Sequence, residues 1–370
     1  MLRIPTNRIS EGMVLALPII DANNLLLLTA GQVLTEKYVQ RIQELQIPFV
    51  YIDDQLGIEE SIPPVNPDTL SIATESLKQS YEQCAKTGKI DLRTVQSQVD
   101  NIIDDLITNS HIMIGMSDLK NYDDYTYQHS VNVCVLSIIL GISHGYNHLQ
   151  LQALGMGSIL HDIGKIKIPL EIINKPSPLT YAEYMEIKKH PWEGFKIINS
   201  SIDLPRGSAQ GILQHHERID GRGYPRGIDE VNIHEYGLIV AVADVFDALV
   251  SDRPYRRAFN NQEAMEIMER EKGTHLSPLF VDALLSYINM YPPGTVVSLS
   301  NGDLAIVTRE NVKDPKSPPL KLLFDAGKQA YEMNSSFDLG AHINIFITKA
   351  LSPMEAEVII IEFLTIHKNH

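Results

Sequence analysis

His161-Asp162-Ile163-Gly164-Lys165 closes an apolar run, Leu154 to Leu160, that only glycine and serine interrupt. A histidine and an aspartate at the end of such a run are expected to be buried or nearly so. Burying an unpaired carboxylate costs about several kcal/mol, so Asp162 needs a cation or dense hydrogen bonding. Imidazole beside carboxylate suits a divalent transition metal. A satisfied His–Asp hydrogen-bonded pair would meet the same requirement, and the rest of the chain decides between them.

Outward from this pair, His- or Asp-bearing points recur at His129, His161-Asp162, His190, His215-His216 and Asp244, with gaps of 32, 29, 25 and 29 residues. Each gap is about one helix with its connection, and nearly every segment from Tyr122 to Pro293 reads as helix. Successive helices could therefore each bring a ligand to one centre, as bundles do in di-metal sites. Asp244 strengthens the metal reading, because Leu238 to Phe246 is otherwise wholly apolar. A lone carboxylate there would be driven toward its neutral form.

His215-His216-Glu217-Arg218-Ile219-Asp220-Gly221-Arg222-Gly223-Tyr224-Pro225 is the second dense stretch. Adjacent histidines on a helix point about 100° apart, so both serve one cluster only near a helix end. The glycine- and proline-rich segment after them has turn chemistry and is placed to wall a pocket, or to form a plain surface turn. Of thirteen arginines, six fall between Arg218 and Arg257. Guanidinium forks bind phosphate bidentately, and helix-end charges are the plainer account.

The flanks differ in character. Residues 1–60 read as a small α/β module. Its hairpin is expected between Gly12–Ala16 and Leu25–Leu28, its helix is capped by Thr35, and Phe49–Ile52 returns as a strand. Residues 61–67 form a proline-rich linker, and 68–119 a helical connecting segment with an apolar stripe at Val95, Val99, Ile102, Ile103 and Leu106, either core or a dimer-forming stalk. After the helical domain, 120–292, a β-rich extension covers 293–370. Asn301-Gly302 marks a hairpin, and Leu320–Phe324 and Ile343–Thr348 are further strands. The fold class is therefore mainly α, an all-helical bundle with a small α/β module before it and a β-rich extension after it.

Composition narrows the function. At 44% apolar and 21% charged the chain is an ordinary globular protein. A net charge of −15 argues against a nucleic-acid polymer as partner. Cys84 and Cys134 form no spaced motif, no basic-apolar leader is seen, and the longest apolar stretches are too short to span a bilayer. A cytoplasmic protein without membrane insertion is expected.

Together these motifs, in this order, resemble the HD-GYP family of metal-dependent HD phosphohydrolases over about residues 120 to 290. The resemblance rests on His161-Asp162-Ile163-Gly164-Lys165, His190-Pro191, the His215–Pro225 stretch and Ala243-Asp244-Val245-Phe246-Asp247-Ala248. It implies a cyclic di-GMP phosphodiesterase with two divalent ions, iron or manganese. One ion would be held by His129, His161, Asp162 and Asp244, its neighbour by Asp162, His190, His215 and His216. Lys165 would act beside the bridging Asp162 in catalysis. Arg253, Arg256, Asp220, Gly223, Tyr224 and Pro225 would meet the substrate. The resemblance also leaves room for a diguanylate cyclase or other signalling partner at the Gly223–Pro225 loop, and for a homodimer. One departure stands out. Members with three metals carry a glutamate one turn before the first histidine, and here that position is Tyr125.

Overall fold

In the computed structural model, the residues described are all 370 except 1, 7–8, 10, 21–25, 46, 48, 54–55, 60–62, 110–113, 115–124, 174, 176, 200–203, 252–257, 260, 310, 312–313, 315, 343 and 368–370. By packing, the chain divides into two units, 62–290 and 1–61 with 291–370.

The N-terminal part of the second of these contains β1 (Leu2–Pro5), β2 (Val14–Leu15), β3 (Ile19–Ile20), β4 (Leu26–Leu28), α1 (Glu36–Glu44) and β5 (Phe49–Asp53). Thr35 caps α1 as expected, its hydroxyl accepting from Tyr38 N. The hairpin differs from expectation. β2 pairs with β5 in a sheet ordered β1-β5-β2, and β4 pairs instead with β3. Pro18 explains the shift: lacking an N–H, it interrupts the apolar run, so residues 19–20 start a separate strand. The expected turn at Asp21–Asn24 lies outside the described residues.

The helical unit begins with α2 (Pro67–Thr87), capped by Asn66 with Pro67 in its first turn, where no N–H is needed. α3 (Leu92–Thr108) is capped by Asp91. Its stripe Val95, Val99, Ile102, Ile103 and Leu106 is fully buried in the same core as the helices that follow, so these helices are core rather than a stalk. Then come α4 (Tyr125–Ser143), α5 (His148–Ile159), α6 (Leu170–Ile173), α7 (Tyr181–Ile187), α8 (His190–Asn199), α9 (Ser208–Gln214), α10 (Glu235–Val250), α11 (Asn261–Glu271) and α12 (Pro278–Tyr287). α10 is apolar almost all round, as befits a central helix, and α4, α5 and α9 pack against it.

The C-terminal part of the other unit is an antiparallel sheet of β6 (Val296–Leu299), β7 (Leu304–Val307), β8 (Pro319–Phe324), β9 (Ser336–Asp338) and β10 (Ile347–Ala350), ordered β10-β6-β7-β8-β9. The Asn301-Gly302 hairpin forms as expected, and Gly302 takes φ +92°. The last expected strand starts at Ile347 rather than Ile343, which is not among the described residues. The chain then ends in α13 (Pro353–His367), whose Ile360, Phe363 and Leu364 join Leu56, Val296, Leu323 and Phe324 in one core. Among the described residues no helix is long and apolar enough to cross a membrane.

One glycine decides how closely the motif segment meets its neighbour. After α5, residues Ile163–Lys167 form a 3-10 turn that lies on α8. A Cβ on Gly164 would stand 1.9 Å from His190 O and 2.4 Å from Gly194 N, backbone atoms that cannot step aside. Gly164→Ala is accordingly expected to destabilise the unit by about 1–3 kcal/mol through overpacking. Urea unfolding would show this as a lowered midpoint with an unchanged slope. An unaltered midpoint would mean that the turn and α8 do not make this contact.

Candidate metal centre

The sequence brings its histidines in at helix ends, and the ends orient them. The last carbonyls of a helix have no intrahelical donor. His161 follows α5 and its Nδ1 lies 2.7 Å from Ser158 O; His190 follows α7, with Nδ1 2.7 Å from Ile187 O; His215 caps α9, with Nδ1 2.8 Å from Ile212 O. In each case the ring satisfies a carbonyl three residues back by donating from Nδ1. That fixes the tautomer and leaves Nε2 as a bare lone pair.

Those lone pairs converge. His190 Nε2 and His215 Nε2 are 3.1 Å apart, and His161 packs on His215 with ring centroids at 4.9 Å. His216, just past the helix end, lies with its ring 4.2 Å from that of His215 and 5.0 Å from that of His190. The two adjacent histidines do serve one cluster, as their place at a helix end allows.

His129, on α4, joins from the other side. Its Nε2 is 3.1 Å from Asp244 Oδ1, and its Nδ1 is 2.6 Å from Asp247 Oδ2. Asp162 Oδ1 lies 3.3 Å from His190 Nε2, and its Oδ2 lies 3.4 Å from His161 Nε2 and 2.5 Å from Lys165 Nζ. Three overlapping groups result: His129, His161 and Asp162; His161, His215 and Asp244; and His190, His215 and His216. Within each, the donor atoms lie within 4.8 Å of one another.

This donor set fits a divalent cation. His161 Nε2 and Asp162 Oδ1 are buried without a hydrogen-bond partner, although each is within ion-pair distance of another donor-bearing group. Two acceptor nitrogens facing each other at 3.1 Å repel unless a positive charge lies between or beside them. A plain His–Asp hydrogen-bonded pair would leave no such orphans.

The charges divide the cluster. Burial, together with neighbouring positive groups, depresses three histidines: His190 to about 4, His216 to about 3 and His215 well below its ordinary value. These three are neutral at pH 7. His129 behaves oppositely. Burial disfavours its charge, but the hydrogen bonds to Asp244 and Asp247 outweigh that and raise it to about 10. Burial also opposes ionisation of Asp162 and Asp244. The Lys165 charge and His161 hold Asp162 well below the usual carboxylate range, and His129 does the same for Asp244.

Several contributors escaped the sequence reading. Asp247, fully buried, takes the His129 ring nitrogen, Asn132 Nδ2 at 2.8 Å and Ser251 Oγ at 3.3 Å. Its signal was present, since it directly follows the apolar run and stands three residues after Asp244, on the same helical face. Glu217, 2% exposed, accepts from Arg226 N at 2.7 Å, Gly227 N at 2.9 Å and Ile228 N at 3.2 Å. It thereby folds the loop onto the histidines. Gly223 lies flat on that loop, where a Cβ would meet Arg218 N at 2.3 Å. Tyr224 N donates to His216 O at 3.0 Å, and the Tyr224 ring sits 4.7 Å from that of His216. Pro225 follows within the same loop.

Asp220 is not gathered at the cluster. Its carboxylate accepts from Arg218 Nε and Nη2 and from Arg222 N, which shapes the turn. Arg253 and Arg256 lie outside the described residues.

A family model described as an HD domain matches residues 117–279, and one described as a KOW domain associated with HD domain matches 296–358. The chain is 31% identical over 330 residues to a cyclic di-GMP phosphodiesterase of Pseudomonas aeruginosa, covering 82% of this chain and 80% of the relative. It is 41% identical over 169 residues to a cyclic di-GMP phosphodiesterase of Thermotoga maritima, 45% of this chain and 46% of that one. It is also 35% identical over 174 residues to a 3'3'-cGAMP-specific phosphodiesterase of Vibrio cholerae, 46% and 38% of the two chains.

The charge pattern makes chelator-treated protein sensitive to pH in both directions. His190 and His216 bind fewer protons folded than unfolded between about 4 and the ordinary value of 6.5, so acid favours unfolding across that window. His129 has the opposite sign: its contribution is complete below about 6.5 and is lost as pH rises toward about 10. Thermal midpoints of the chelated protein should therefore peak near neutrality and fall on both sides. A midpoint that climbed steadily from pH 5 to pH 9 would contradict the His129 assignment.

Proposed function

This chain belongs to the HD-GYP family of metal-dependent HD phosphohydrolases, and on that premise we propose that it is a phosphodiesterase that hydrolyses cyclic di-GMP to linear pGpG. The observation that carries the reading is the set of unsatisfied donors converging from separate helix ends, in a chain alignable over most of its length with a relative of that activity.

His129, His161, Asp162 and Asp244 would hold one divalent ion, and Asp162, His190, His215 and His216 its neighbour. Asp162 suits the shared position, because its two oxygens face opposite halves of the cluster. The imidazole and carboxylate donors favour iron or manganese, and neither Cys84 nor Cys134 belongs to any of the three donor groups. Bound there, such ions supply Lewis acidity and make water nucleophilic at neutral pH.

The remaining roles belong to the chain. Lys165 keeps Asp162 ionised and presents a half-exposed ammonium at the rim of the buried donors, where it would offset the negative charge that grows on the phosphoryl oxygens during cleavage. Asp247 holds His129 in place. The Glu217-braced loop sets Tyr224 over His216 and forms one wall. The similarity to a 3'3'-cGAMP-specific enzyme supports a second reading with a mixed cyclic dinucleotide as substrate. Chromatography of products from both substrates, side by side, tests the choice; turnover of neither would overturn the proposal.

Asp162→Ala should abolish turnover and remove most bound metal, since one carboxylate serves both halves. A variant that retained two metals and normal rates would exclude this ligand scheme.

The departure at Tyr125 gives a second test. Tyr125 opens α4 four residues before His129, about one helical turn along the sequence. A phenol, with a pKa of about 10, is a poor third-site ligand at neutral pH. Two metals per chain and pGpG as the main product are expected. Tyr125→Glu should raise metal content above two and shift product toward GMP. Three fully occupied metals in the unaltered protein, by elemental analysis, would refute this.

A further inference from the structure

The stretch on either side of His190 is rich in lysine, and most of these lysines are neutralised locally. Lys175 pairs with Glu183 at 2.6 Å, Lys189 with Glu186, and Lys196 with Glu193 at 2.7 Å. Lys188 differs. Among the described residues its ammonium has no carboxylate partner. It lies over two aromatic rings instead, 4.7 Å from the Tyr224 centroid and 5.4 Å from that of Tyr184.

This arrangement holds a charge in place without cancelling it. A ring face attracts a cation by about 0.5–1 kcal/mol at an exposed site, enough to bias a flexible side chain but far short of the grip of an ion pair on a ligand-binding charge. One of the two rings also belongs to the site. Tyr224 stands 4.7 Å from His216 and 6.5 Å from His190, ring centre to ring centre, and is fixed by the Glu217-braced loop. The uncompensated ammonium thus lies over a ring whose own neighbours are His216 and His190, two of the three neutral imidazoles.

A cyclic dinucleotide carries two phosphodiester anions, and only one is cleaved at a time. The other has to be held while the first reacts, and in a chain of net charge −15 it needs a specific cation. We propose that Lys188, caged by Tyr184 and Tyr224, is the binding residue for the non-scissile phosphate. The inference rests on the cyclic-dinucleotide reading of the site and adds to it a contact outside the donor cluster.

The test compares Lys188→Met, which keeps the apolar stem on the two rings, with Lys188→Arg, which keeps charge and ring contact. With cyclic di-GMP, Lys188→Met should raise KM roughly ten- to a hundredfold, the loss of one charge-assisted contact, with kcat and metal content little changed. Lys188→Arg should restore KM to within a few-fold. The rise of KM with added salt should be shallower in Lys188→Met than in the unaltered protein. Hydrolysis of bis(p-nitrophenyl) phosphate, which has a single phosphodiester and no second anion to hold, should be the same in all three forms. An unchanged KM, an unchanged salt dependence, or an equal loss on the single-phosphodiester substrate would each overturn the assignment. If the unaltered protein cleaved bis(p-nitrophenyl) phosphate but no cyclic dinucleotide, the substrate reading itself would fall, and this inference with it.

Discussion

Five imidazoles and two carboxylates, Asp162 and Asp244, share one cluster inside an apolar helical core, and their donor atoms cannot be that close without positive charge among them. Much of the helical unit follows from this requirement. α5, α7 and α9 each stop where a histidine is needed, and the free carbonyls of their last turns hold the Nδ1 side of the ring. A helix end is usually a cost to be covered by a cap or by water. Here the cap and the candidate ligand are the same side chain, so fold termination and site formation are one interaction.

The second constraint is close approach. Gly164 lets the turn after Asp162 lie against the backbone at His190, which brings residues from two helix ends to a single centre. Gly223 does the equivalent for the loop, pressing it onto residues 217 and 218. Glu217 then gathers three backbone N–H groups of that loop onto one buried carboxylate. A loop with so many satisfied donors is a rigid wall, which is what a residue such as Tyr224 needs if it is to position anything else.

The legible parts of the sequence were those that depend on neighbours in the chain. Thr35 announced a helix start, Asn301-Gly302 a hairpin, and the regular recurrence of His and Asp a convergence of helices. The same logic explains what was not legible. β2 takes β5 as its partner, far along the chain, where local pattern suggested the next apolar run. The pairing of residues 1–61 with 291–370 in one unit leaves no trace in any local periodicity, and Leu56 gives no hint that α13 will cover it. Asp247 becomes meaningful only once His129, 118 residues earlier, lies 2.6 Å away. Glu217 likewise reads as one more charge until its loop closes around it.

The cluster is also polarised, and that has a consequence for what it can bind. His129, Asp162, Asp244 and Asp247 form a half rich in carboxylate, while His190, His215 and His216 form a half of neutral donors. A cation held by carboxylates has much of its charge cancelled by them. Among neutral imidazoles it keeps that charge for a ligand. Lys188 stands at the neutral side, over the ring that packs on His216. If Lys188 holds the second phosphate as proposed, an anionic substrate would lie with its reacting phosphate toward the buried donors and its remaining phosphate toward Lys188. Cations placed in this way would let a phosphodiester site sit within a chain carrying a net charge of −15.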